Sequence, residues 1–142
     1  MLLIAHRGNI NGKRPDQENR PEYILKAIDS GYQVEIDVWS ENGELYLGHD
    51  EPEHKTDIKF LKNDKLWCHC KNIEALKELL ENGVHCFFHQ GDDVTLTSKG
   101  YMWVFPKRKL VKNSICVLPE VGYSGRLEDC AGICSDHIAD YK

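Results

Sequence analysis

The sequence predicts an α/β protein whose strands form a shortened, TIM-barrel-like parallel β/α barrel with its later helices reduced or missing. Three observations lead to this prediction. Short apolar runs recur along the chain, helical stretches follow two of the early runs, and polar clusters stand at the ends of several runs. Alternating strands and helices indicate a parallel sheet. The 142 residues suit a single domain, residues 1–142, although a full eight-stranded barrel needs about 250.

The first third of the chain predicts a strand, a helix and a second strand in that order. The apolar run 1–5 favours a buried strand. Residues 21–30 favour a helix, because Pro21 suits the first helical position and apolar residues recur at helical spacing. Residues 32–39 form the second predicted strand. The pair Asn42-Gly43 is typical of a tight turn, so residues 44–47 are expected to pair back as a hairpin.

The remaining two thirds predict one helix and five more strands. The helix spans residues 73–81 and has Asn72 as its N-cap. One strand, 65–71, precedes it, and the strands 84–89, 101–105, 114–118 and 131–134 follow it, with residues 92–100 as a polar loop. Because the later strands are joined by loops, the predicted barrel lacks its later helices.

Charge and hydropathy exclude several classes of protein. The net charge is -5, and the densest basic cluster, Lys107-Arg108-Lys109, follows a proline as in a solvated loop, so no nucleic-acid partner is expected. The first apolar run ends at residue 5, which is too short for a signal-peptide core or a membrane span. We therefore expect a cytoplasmic protein with no membrane span.

The six cysteines are expected to be free thiols. No secretion signal is visible, and reduced thiols are the rule inside cells. The spacings of Cys68 with Cys70 and of Cys130 with Cys134 do not match the two-residue gap of a structural zinc site, so buried thiols are favoured over zinc ligands. Cys68 and Cys70 are expected to face the helices, since His69 between them faces inward.

Polar residues at strand ends predict a site for metal and phosphate. Glu35 and Asp37 stand two apart in a strand, so both leave one face, where a divalent cation would relieve their repulsion. The alternative is a pair of ordinary surface acids. His6 and His49 each follow an apolar run and could divide acid and base roles, although each alone could be structural. Arg7 offers a bidentate fork for phosphate.

Three further positions give weaker signals. His69 and Lys71 share a face of the third predicted strand. Lys71 could bind phosphate oxygens, whereas His69 is either a metal ligand or a core histidine. His89 closes the fourth strand, and Glu120 follows Pro119 after the sixth.

These clusters, in this order, resemble the glycerophosphodiester phosphodiesterase family, whose barrel is related to that of the phosphoinositide-specific phospholipases C. The resemblance covers the first half of the chain at the level of whole motifs and their spacing. The family's His-Arg-Gly, Pro-Glu-Asn, Glu-x-Asp-Val and His-Asp motifs are similar to His6-Arg7-Gly8, Gln17-Glu18-Asn19, Glu35-Ile36-Asp37-Val38 and His49-Asp50.

The resemblance implies a metal-dependent hydrolase that cleaves a small-molecule phosphodiester, with Mg²⁺ or Ca²⁺ as its metal. It also implies a role for each matching residue: Glu35 and Asp37 hold the metal, His6 and His49 act as acid and base, Arg7 binds phosphate, and Glu18 and Asn19 support the metal site or its water. Lys71 matches the lysine of the family's Glu-x-Lys motif in the third strand.

The chain departs from the family pattern at two points. His69 stands where the family has a metal-binding Glu, which makes Mn²⁺ or Zn²⁺ more plausible or metal binding weaker. After Lys71, only residues 132–136 are similar to the family, at its closing strand, which ends in Thr-Asp. An incomplete barrel would expose apolar strand edges that a partner, such as a second copy of the chain in a homo-oligomer, could cover.

Two alternative functions remain open at this point. One is a catalytically weak or inactive relative that binds a phosphorylated small molecule or sugar. The other is a different metal hydrolase with His69 and His89 as ligands.

Overall fold

The computed structural model describes all residues from Met1 to Lys142. The strands are β1 (Leu2–His6), β2 (Gln33–Glu41), β3 (Glu44–Leu47), β4 (His54–Thr56), β5 (Leu66–Cys70), β6 (Cys86–Phe88), β7 (Val94–Leu96), β8 (Met102–Val104), β9 (Ser114–Val117) and β10 (Gly132–Ser135). The helices are α1 (Pro21–Asp29), α2 (Ile58–Leu61) and α3 (Ile73–Glu81). Short 3₁₀ turns span Pro119–Val121, Leu127–Asp129 and Ile138–Tyr141.

The strands form one curled, mixed half-barrel with few helices, which is compatible with a shortened barrel. Parallel pairs join β1 to β2, β2 to β5, β5 to β6, β8 to β9, β9 to β10, and β10 back to β1. The short strands β3, β4 and β7 pair antiparallel. The rings of Phe87 in β6 and Trp103 in β8 lie 4.6 Å apart between centroids, so the two ends of the parallel row approach each other although they are not paired.

Two hydrophobic clusters cover the two faces of this sheet. The outer cluster packs Ala27 of α1 and Leu79 of α3 against strand residues such as Ile36. The inner cluster fills the curl with Ile4, Trp67, Phe87, Trp103, Ile115, Val117 and Cys134. Since side chains alternate along each strand, the residues that follow these inner positions by two also face the interior. The inner face is apolar on most strands, and it is polar at His6 at the end of β1, at Glu35 and Asp37 within β2, and at His69 near the end of β5.

Local signals in the sequence explain the early elements. Asn72 caps α3, because its Oδ1 accepts the N–H of Ala75 at 3.0 Å. The turn between β2 and β3 has positive φ at both Asn42 and Gly43, as the predicted hairpin requires. The predicted polar loop 92–100 is wrong in part, because β7 forms there by pairing with β8. The sequence also did not predict β4 and α2, which are too short to show a periodic pattern.

The expectations for the thiols are confirmed. All six cysteines are free, and five of them are buried. Cys68 and Cys70 belong to the outer cluster that packs against the helices. No helix in the structure has the length and hydropathy needed to cross a bilayer.

Candidate functional site

A tight turn after β1 positions the first functional side chains. Arg7 and Gly8 have positive φ angles of 54° and 91°. A Cβ atom on Gly8 would lie 2.7 Å from Cδ2 of Tyr23, so glycine is required there. The N–H of Arg7 donates to the carbonyl oxygen of Glu35 at 2.8 Å, which ties this turn to β2. Arg7 therefore lies beside the acidic residues of β2.

Glu35, Asp37 and His69 come together on the inner face of β2 and β5. One ligand atom of each lies within 4.8 Å of the others. Nδ1 of His69 is 3.6 Å from Oε1 of Glu35 and 3.4 Å from Oδ1 of Asp37. Adjacent ligands of a cation with bonds of about 2.1–2.5 Å in octahedral geometry are separated by about 3.0–3.5 Å. The spacing of this triad therefore suits a divalent metal.

The hydrogen bonds of His69 direct its free nitrogen towards the two carboxylates. Its Nε2 lies 2.7 Å from the carbonyl oxygen of His89, which can only accept, so we assign the proton to Nε2. A metal bound between Glu35 and Asp37 would be faced by the lone pair of Nδ1. Oε2 of Glu35 and Oδ1 of Asp37 are buried and accept no hydrogen bond. A cation would satisfy all of these atoms, so the residues present fit a metal.

The pKa values of the two acids shift in opposite directions. Without a cation, burial raises the pKa of Glu35, but a hydrogen bond donated by Nδ1 of His69 and the positive charges of His6 and Arg7 outweigh it and lower the pKa to about 2. Burial and the negative charge of Glu35 raise the pKa of Asp37. The second negative charge is therefore unfavourable in this position until a cation balances it.

The residues around Asp37 hold it in place. Asn19, buried and with a φ of 63°, accepts the N–H of Asp37 and donates to its Oδ2, both at 2.9 Å. Nε of Arg7 is 3.3 Å from the same oxygen, and Nη1 of Arg7 donates to Glu18 at 3.1 Å. Nζ of Lys71 lies 3.9 Å from Oδ1 of Asp37. Asn19 thus orients Asp37, and Glu18 orients Arg7.

His6 lies between two carboxylates. Its Nδ1 is 2.7 Å from Oδ1 of Asp136, and its Nε2 is 3.7 Å from Oε2 of Glu35. The carboxylate of Asp136 accepts from Nδ1, which leaves Nε2 free for proton transfer. Burial lowers the pKa of His6, but the hydrogen bond to Asp136 and the charge of Glu35 outweigh it and raise the pKa.

Asp136 contacts the candidate site through His6, although it was not among the site residues predicted from the sequence. Asn9 also donates to its Oδ1, at 2.9 Å. Glu120 lies one step further out, where its Oε1 accepts from the hydroxyl of Ser135 at 3.0 Å and from the N–H of Asp136 at 2.9 Å. Glu120 therefore fixes the turn after β10. The signal available in the sequence was the acidic residue that follows the last predicted strand. The pairing of β10 with β1 brings this residue to His6.

His49 reaches the site from the loop after β3. Its Nδ1 lies 2.7 Å from Oδ1 of Asp50, and its side chain is 43% exposed. The indole N–H of Trp39 donates to the carbonyl oxygen of Gly48 at 2.7 Å and so anchors the loop. His6 and His49 therefore share one arrangement, in which a carboxylate holds Nδ1 and Nε2 remains available.

One cavity of about 250 Å³ brings these side chains together. Its polar lining consists of His6, Arg7, Glu35, His49, His69, His89 and Gln90, and its apolar lining consists of Trp103, Phe105, Pro106, Val117 and Leu118. His89 is not among the clustered ligand groups, and its Nε2 lies 2.6 Å from the carbonyl oxygen of Asp92. Its own carbonyl oxygen accepts from His69, so its contact with the triad is through the backbone.

Comparisons with protein-family models, with curated proteins and with solved structures give no match to this chain. Functional inference therefore depends on the geometry of the site.

Proposed function

We propose that the protein is a metal-dependent phosphodiesterase of the glycerophosphodiester phosphodiesterase type, built on a shortened TIM-barrel-like fold. One observation carries the proposal. Two histidines, each held at Nδ1 by a carboxylate, line a single cavity with Arg7 and with members of a metal-type triad. The order of motifs in the first half of the chain supports the same function.

The proposed ligands are Glu35, Asp37 and His69. Two carboxylates suit Mg²⁺ or Ca²⁺, and the imidazole also admits Mn²⁺ or Zn²⁺. When bound, the metal would supply Lewis-acid polarisation of a phosphate oxygen. Arg7 offers the phosphate a planar fork of N–H donors, while Lys71 adds a point charge. Together these cations offset the charge that a phosphodiester brings into an acidic site.

The two histidines move the protons. Nε2 of one accepts the proton of the attacking hydroxyl, which in a glycerophosphodiester is the substrate's own glycerol hydroxyl. Nε2 of the other donates a proton to the leaving alkoxide. Asp136 and Asp50 keep each ring in the tautomer that this exchange requires, because each accepts from Nδ1.

A catalytically weak or inactive relative, which binds a phosphorylated small molecule or sugar, is the second candidate. Two observations favour it. His49 is held only by the 90% exposed side chain of Asp50, and an imidazole replaces the third carboxylate of the family pattern. Such a protein would bind a phosphate group through Arg7 and Lys71 without turning over a diester.

The experiment that separates the two candidates is an assay of the cleavage of a glycerol phosphodiester of a simple alkyl alcohol with Mg²⁺, Ca²⁺, Mn²⁺ and Zn²⁺ in turn. We expect turnover by the wild type and losses of about 10² to 10⁴ in rate for His6→Ala and His49→Ala. His54→Ala is the matched control, since His54 in β4 does not line the cavity. A wild type that binds the diester but releases no alcohol with any of the four metals would favour the inactive relative.

A further inference from the structure

The site cavity has an apolar wall that the proposed chemistry does not use. Trp103, Phe105, Val117 and Leu118 form it with Pro106, and they come from β8, β9 and the residues that follow these strands. Trp103 is only 4% exposed and packs on Phe87, so it forms the base of the wall, whereas Phe105, Pro106 and Leu118 are partly exposed. Apolar side chains bind neither phosphate nor metal. This wall is therefore suited to an apolar part of the ligand.

Leu118 adopts a conformation that is unusual for its residue type. Its φ of 49° and ψ of 58° are left-handed, a region in which glycine would be unstrained. Its N–H donates to the carbonyl oxygen of Cys134 at 2.7 Å, and Pro119 follows directly. Strained backbone conformations cluster at active sites and ligand-binding positions. At this position the side chain contributes to the apolar wall.

A second cavity of about 230 Å³ shares Arg7 and His49 with the first. Its further lining is mostly charged and includes Lys13, Asp50 and Glu53. Arg7 and His49 therefore stand between a partly apolar space and a polar one. A phosphodiester has the same organisation, since one phosphate joins two alcohols.

We infer that the substrate is an asymmetric phosphodiester. An aromatic or short apolar alcohol lies against Phe105 and Leu118, and a polar, hydroxylated alcohol lies in the second cavity. The volume of the first cavity admits one ring beside the phosphate but not a long acyl chain, since an engineered cavity of about 150 Å³ holds benzene. This inference rests on the proposed function, because it takes Arg7 as the phosphate ligand.

The test compares the binding of inorganic phosphate, glycerol 3-phosphate and phenyl phosphate to the full chain, by NMR chemical-shift titration in Mg²⁺ and again in Ca²⁺. We expect phenyl phosphate to bind about ten-fold more tightly than the other two, because its ring leaves water for the apolar wall. Leu118→Ala and Phe105→Ala should remove most of this advantage and leave the affinity for inorganic phosphate unchanged. Leu118→Gly removes the same side chain and also relieves the strained backbone, so it tests the wall even if Leu118→Ala is poorly folded.

Val121→Ala is the matched control, because Val121 is an apolar residue near Leu118 that does not line the cavity. If inorganic phosphate binds but phenyl phosphate binds no more tightly, the inference is wrong and the proposed function stands. An advantage of phenyl phosphate that all the wall variants keep also overturns the inference. If none of the three ligands binds in either metal, the phosphate site itself is wrong and both proposals fall.

Discussion

The substitution Asp37→Asn should leave the melting temperature unchanged or raise it without metal, and should lower it relative to the wild type with metal. Without metal, Asp37 is a buried acid whose pKa is raised by burial and by the charge of Glu35. Its amide counterpart removes that repulsion and can still pair with Asn19. In EDTA we therefore expect the variant to melt at the same temperature as the wild type or higher. With metal the order should reverse, because the variant has lost an anionic ligand.

The size of the metal effect follows from linkage. A ligand at about 100 times its dissociation constant stabilises the native state by about 2.7 kcal/mol. An unfolding entropy of about 2.1 cal/mol/K per residue gives about 0.3 kcal/mol/K for 142 residues. The wild type should therefore gain about 9 °C in melting temperature, whereas Asp37→Asn should gain close to none at the same concentration.

Differential scanning fluorimetry with and without each of the four metals measures both values. Asp64→Asn, at an exposed position outside the triad, is the matched control and should keep the full wild-type shift. The reasoning is refuted if Asp37→Asn shifts as much as the wild type, or if the wild type shifts with none of the metals at millimolar concentration.

Three further predictions concern other residues. Asp136→Asn should lower kcat by at least about ten-fold with a smaller change in KM, because it loosens the ring of His6; equal kinetics in steady-state assays would contradict this. His69→Glu should keep or raise the activity with Mg²⁺ relative to that with Mn²⁺, as measured by metal titration of the rate. A variant that loses activity with Mg²⁺ but not with Mn²⁺ would contradict the role of residue 69 as a ligand. Burial and Lys99 lower the pKa of His85 to about 4 from 6.5. Between pH 6.5 and 4 the unfolded chain therefore binds a proton at His85 that the folded chain does not bind. The free energy of unfolding should fall as the pH decreases across this window. Urea unfolding across this window should show a smaller fall for His85→Gln, and an identical fall would contradict the assignment.

The sequence predicted the part of the site that depends on local pattern. Glu35 and Asp37 share a face because side chains alternate along a strand, and this rule holds in almost any sheet. His6 and Arg7 follow directly on the apolar run that predicts the first strand. For these residues, local spacing was sufficient to place them at one edge of the sheet.

The rest of the site depends on contacts between distant parts of the chain. Asp136 reaches His6 only because β10 pairs with β1, a contact across 130 positions that no local pattern encodes. His69 could not be assigned from the sequence, since its orientation is set by the carbonyl oxygen of His89. The strand β7 was missed for a similar reason, because a three-residue run depends on its partner β8 for stability.

We propose that this cavity hydrolyses a phosphodiester with a metal and two histidines. The most direct measurement is ³¹P NMR of a glycerol-containing phosphodiester incubated with the metal-loaded protein. We expect the diester signal to be replaced by that of a phosphomonoester or a cyclic phosphate, and the conversion to be lost with EDTA, with Glu35→Gln and with His6→Ala. A diester signal that stays unchanged with Mg²⁺, Ca²⁺, Mn²⁺ and Zn²⁺, or one that the His6→Ala variant converts at the wild-type rate, would contradict it.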